Sequence, residues 1–181
     1  EYLQNKNIDK RLHEVNVSLT AELLVLGKLA KDVAEARLKI EEVIKNGKAA
    51  ERFAKMVTEL GGPSDLMEKP WNYLKKAAVV KEFYPEKKGR VAAIDARAVG
   101  IGIVELGGGR AKPTDGIDHS VGLTAIAQIG EEVGQGLRPL AVIHAKDEVS
   151  WQKMAKTLNT CITVAEKSDT REELIKLRIA A

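Results

Sequence analysis

The sequence predicts an α+β chain with a helical segment over residues 1–68 and a mostly antiparallel, β-rich domain over 69–181 that carries a C-terminal helix. Three observations support this. Apolar residues recur at helical spacing from Ile8 to Leu60. After Lys69–Trp71 they gather into short β-branched runs parted by glycine and proline. From about Asp147 the helical spacing returns.

In order, the first helix carries Leu12, Val15, Leu19, Leu23 and Leu26, the second Val33, Ile40, Val43 and Ile44, and the third Phe53, Met56, Val57 and Leu60. Asp9 and Asp32 stand where an N-cap carboxylate would accept an exposed amide. Asn46-Gly47 reads as a helix end, and "GGPSD" at Gly61–Asp65 stops the third helix. The strand-like runs are "AAVVKEF", "GRVAAI", "VGIGIVEL", "SVGLTAI" and "LAVIHA". The last helix is expected from about Asp147 to Lys167, with Trp151, Met154, Leu158, Cys161 and Ile162 on one face. The tail after Ser168 is polar and then mixed, and it receives no assignment.

Composition narrows the function classes. The 44% hydrophobic and 30% charged residues are those of a chain that folds around a core. The 29 basic and 26 acidic residues are scattered, with no block of like charge to follow a phosphate backbone, which argues against nucleic acid as a partner. Cys161 is the single cysteine, so there is neither an internal disulfide nor a thiolate cluster, which fits a reducing, cytoplasmic setting. A small apolar residue packed on a helix is the expected role for it. No apolar run reaches membrane-spanning length, and the first residues lack the apolar core of a signal peptide. The chain opens on Glu1 rather than methionine, which raises the expectation that it is a piece of something longer.

Candidate chemistry is sparse. "VELGGGRAKPTD", Val104–Asp115, puts three glycines before Arg110 and Lys112 and invites a phosphate-loop reading. Such a loop must lie between a strand and a helix N-terminus, whose aligned amides and dipole hold the anion. Here a strand is expected to lead into turn residues and another strand, and Lys112 precedes proline rather than serine or threonine. A wide connection with solvated Arg110 and Lys112 is the preferred reading. His119 adjoins Asp118 and Ser120, but neighbours on a strand point to opposite faces, so adjacency speaks against a triad. His144 is expected at a strand end with a satisfied ring, and His13 on the surface or at an interface of the first helix. Glu41 and Lys45 are spaced for a surface ion pair. No metal site, cofactor, catalytic residue or substrate-binding residue is assigned.

The stretch from Lys88 to Glu148 nevertheless closely resembles the C-terminal domain of the thymidine phosphorylase and pyrimidine nucleoside phosphorylase family. The motifs that carry the likeness are "GRVAAIDARAVG", "LGGGR", "IDHSVGL", "IGEEVGQGLRPLAVIHA" and Trp151-Gln152. It extends back through "GKLAKDVAEARLKIEEVIKNGKAAERFAKMV" to "DKRLHEV", so nearly everything from Leu3 to about Lys167 takes part, and the bacterial thymidine phosphorylase type is the nearest. Lys10 stands where the family has proline, and the tail after Ser168 diverges.

That resemblance implies a homodimeric, cytoplasmic pentosyltransferase that cleaves thymidine with phosphate to thymine and 2-deoxyribose 1-phosphate. It also implies an α/β-hammerhead, barrel-sandwich-like C-terminal domain. The family's phosphate loop, "K-x-S-T-G-G", and its base-gripping arginine, serine and lysine belong to its N-terminal half and do not occur here. The chain is therefore expected to be a C-terminal fragment, inactive alone, whose residues 1–68 pack on the N-terminal half and self-associate without it. Two other readings are weighed: a stand-alone interaction module, and a biotinyl or lipoyl carrier. For the carrier, Lys112 is the nearest candidate, but it lacks the expected methionine or acidic flanks. The resemblance spans both strict thymidine preference and broader pyrimidine use.

Overall fold

A computed structural model describes residues 1–166 and 173–179. The chain divides into two compact units, Glu1–Tyr73 joined by the tail from Leu174, and Leu74–Glu173.

The first unit is helical: α1 Lys10–Leu26, α2 Val33–Lys45 and α3 Lys48–Glu59. Its caps are the ones expected. The Asp9 carboxylate accepts from the Leu12 amide at 2.7 Å and that of Asp32 from Glu35 at 2.8 Å. Asn46 closes α2, Gly47 takes φ +79° in the turn to α3, and Gly61 takes φ +86° just beyond its end. Val17, Ala21, Ala30, Ala36, Ile40 and Ile44 form a small core, with Leu24 and Val25 packed against it. The α1–α2 contact is fastened by Arg37, which donates to Glu14 and, at 2.9 Å, to the Ser18 hydroxyl. The Arg37 bond and then that of the Ser18 hydroxyl, 2.9 Å away, hold the Glu14 carboxyl below its ordinary range, and Glu14 in turn raises the Arg37 guanidinium. In the tail, Arg178 reaches Glu22 on α1 at 2.5 Å.

On α1, apolar residues occupy two opposite sides. Val17 and Ala21 are fully buried, with Leu24 beside them, whereas Leu12, Leu19, Leu23 and Leu26 are 48%, 60%, 66% and 77% exposed. At about 3.6 residues per turn these sets lie nearly opposite each other. A helix that is apolar on both sides normally lies between two layers.

The second unit holds two three-stranded antiparallel sheets. One is ordered β1-β5-β3, from Val79–Phe83, Ala141–Ala145 and Gly122–Thr124. The other is ordered β4-β2-β6, from Glu132–Val133, Gly89–Ile94 and Ile162–Ala165. Strand β5 shows the period-2 pattern of a sheet with one covered face: Ala141, Ile143 and Ala145 are buried, while Val142 and His144 are partly exposed. Helix α5, Glu148–Cys161, is capped by Asp147 and presses Met154, Leu158 and Cys161 into a core with Val91, Val133, Leu140 and Ile143. Gly89 is needed where β2 meets β6, because a Cβ there would come within 2.6 Å of the Ala165 carbonyl oxygen.

Two expectations are corrected. "VGIGIVEL" is not a strand: Ala96–Ile103 forms helix α4, capped by Asp95, and Val104–Gly108 continues as a π turn. A local cap and burial together set this helix. The Asp95 side chain captures the Ala98 amide at 2.9 Å, and β-branched residues with glycines lie on a helix buried through Val99 and Gly102. The last helix also stops short of Lys167. It ends at Cys161, and Ile162–Ala165 instead pair with β2, where Ile162 meets Ile94 and Val164 meets Val91. β-branched Ile162, Thr163 and Val164 fit a pleated edge better than a helix end. Lys167 and Ser168, at which the sequence reading ended the helix and began the tail, lie outside the described residues.

Candidate functional site

The glycine loop leaves the carbonyl end of a helix. From α4 and its π turn the chain passes through Gly107, at φ +106°, to an extended Gly109. Helix C-termini present unpaired carbonyls and partial negative charge, the reverse of what a phosphate needs. The loop thus follows a helix rather than the strand that the sequence suggested, and it runs on to β3 without opening a helix N-terminus. The glycines are there for packing. A Cβ on Gly108 would meet the Ile103 side chain at 3.0 Å, and one on Gly109 would meet that of Val104 at 2.7 Å.

Beyond them the loop binds itself. Arg110 Nε donates to the Asp115 carbonyl at 3.1 Å, and the Asp115 carboxylate accepts from the amides of Ala111 and Lys112 at 3.1 and 2.8 Å. The Arg110 and Lys112 side chains are exposed, as the solvated reading expects. Lys112 sits in the connection from α4 to β3 rather than at a hairpin tip, so it lacks the placement a carrier lysine requires.

His119, Asp118 and Ser120 come together as a turn. The Ser120 hydroxyl donates to Asp118 Oδ1 at 2.6 Å, and the Ser120 amide donates to the same oxygen at 2.9 Å. These bonds, the hydroxyl's first, hold the Asp118 carboxyl below its ordinary range, with smaller help from the charges of Lys75 and His119. The serine proton thus points to the aspartate and His119 is exposed, so no nucleophile–base pair forms. The segment is a turn rather than the strand assumed above, so the strand-face argument does not apply; the hydrogen bonds exclude the triad.

His144 Nε2 lies 2.8 Å from Thr124 Oγ1 on the neighbouring strand β3, a satisfied strand histidine. Cys161 is buried at the end of α5 and belongs to the core. Glu41 is bound across helices to His13 Nε2 at 2.8 Å, in place of the expected intrahelical partnership with Lys45. The other ring nitrogen of His13 lies 3.0 Å from the Tyr2 hydroxyl. This Tyr2–His13–Glu41 chain escaped the sequence reading because Glu41 stands 28 positions from His13 on another helix, and no local pattern reports such a pairing. A second cluster missed in the sequence joins β1 to α5. Lys81 Nζ sits 2.6 Å from Glu148 and 5.7 Å from the Trp151 ring centre, and Phe83 meets the same ring edge-on.

Among the described residues no group of three or more His, Cys, Asp or Glu side chains could hold a metal ion, and no helix is long and apolar enough to cross a membrane. The polar contacts described above are accounted for by capping, turn formation and strand or helix pairing. Residues 90–165, from the second residue of β2 to the last of β6, match the family model of the pyrimidine nucleoside phosphorylase C-terminal domain. The match lies wholly within the second unit and takes in α4, α5 and strands β3 to β6.

Proposed function

We propose that this chain is the C-terminal scaffold portion of a cytoplasmic, homodimeric thymidine phosphorylase. The reacting groups of that enzyme lie in polypeptide outside these residues. In the whole enzyme, a phosphate oxygen attacks C1′ of the deoxyribose, the N-glycosidic bond breaks, and its electron pair leaves with the pyrimidine. That step needs a cradle of amides and a cation for the phosphate dianion, and donors for the charge developing on the base. Two observations support placing them elsewhere: the glycine loop opens from a helix C-terminus, and Asp118 and Ser120 close a turn.

The observation that carries the proposal is the family match over residues 90–165. The two-sided α1 supports it independently. Its Leu12, Leu19, Leu23 and Leu26 side is the surface against which the rest of the enzyme packs, and the isolated chain self-associates through it.

Thymidine phosphorolysis, followed by the change in ultraviolet absorbance as thymine is released, tests the reading. The chain alone gives no turnover. Co-expression with the N-terminal half of a bacterial thymidine phosphorylase, itself inactive, restores it. Robust turnover by the chain alone, or failure of a soluble, co-purifying pair to turn over, overturns the proposal.

A further inference from the structure

We draw no further inference here: the strongest candidate, the apolar groove of about 500 Å³ in the helical unit lined by Tyr2, Leu3, Thr20, Leu24, Lys39 and Ile44, carries nothing because nothing in the structure shows what covers it.

Discussion

Replacing Leu19 and Leu23 together by glutamate separates the two faces of α1. Fully burying a leucine side chain is worth about 1.5–3 kcal/mol. Leu19 and Leu23 are 60% and 66% exposed, so most of that remains to be gained when a partner covers them, about 1–2 kcal/mol each. The double variant Leu19→Glu/Leu23→Glu therefore forfeits about 2–4 kcal/mol of any association through this face, before the further cost of burying two carboxylates. That is a loss of affinity of roughly 30-fold or more. Folding of the chain itself should hardly respond, because exposed substitutions stay within about 0.5 kcal/mol and glutamate is nearly as good a helix former as leucine.

Val17→Ala provides the opposite control. Val17 is fully buried, and removing two methyl groups costs about 2 kcal/mol of stability while leaving the leucine face intact. Light scattering across a concentration series reads association, and denaturant unfolding reads stability. The wild-type chain and Val17→Ala associate, whereas the double glutamate variant is monomeric with an unfolding free energy close to wild type. If the double variant unfolds as easily as Val17→Ala, the leucines are part of the chain's own core. If it associates as tightly as wild type, the leucine face is not the contact. Either result refutes the two-layer reading of α1.

Four further predictions concern stability. Leu158→Ala, at a fully buried position where α5 meets the sheets, should cost about 2–5 kcal/mol in denaturant unfolding of the second unit. Gly134→Ala combines φ +139° with a Cβ only 2.9 Å from the Lys88 Cα, so a loss of at least about 1–3 kcal/mol is expected. Gly47→Ala, also at positive φ but with open space around it, should lose only about 1 kcal/mol in the same measurement. The carboxyl of Asp147 is held below the ordinary aspartate range, first by the Ser150 amide and then by the Ser150 hydroxyl. Its contribution to stability is thus present above pH 3.8 and fades as the pH falls through the lower folded value; thermal melts of Asp147→Asn should lack this acid-side loss.

What could be read from the sequence depended on whether a signal was local. Asp9, Asp32 and Gly47 announce helix ends because capping joins groups three or four residues apart. Strand β5 was legible because Val142 and Ile143 stand in a short apolar run that follows Pro139, a signal contained within a few residues. The stretch "VGIGIVEL" was misread because a short apolar run rich in valine, isoleucine and glycine has no distinguishing period, and the helix is decided by the Asp95 cap and burial against α5. Strand β6 was absorbed into the preceding helix for a related reason. Its four residues become a strand only by pairing with β2, more than 65 positions earlier in the chain, which no window around Ile162 contains.

The same division governs the candidate chemistry. Arg110, Lys112, Asp118, His119 and Ser120 stand close in sequence and look like a site on paper. Yet proximity along the chain lets short polar side chains bond the nearest backbone, which is how Asp115 takes two loop amides and Asp118 takes the amide of Ser120. A cluster of this kind uses up its own donors in shaping a turn. A phosphorolytic site needs the reverse, groups held apart from one another and aimed at an absent anion, and that takes segments distant in sequence fixed on a rigid frame. The motifs that carry the family resemblance lie largely in the frame: "GRVAAI" is a central strand, "LAVIHA" contains another, and "LGGGR" closes the turn behind α4.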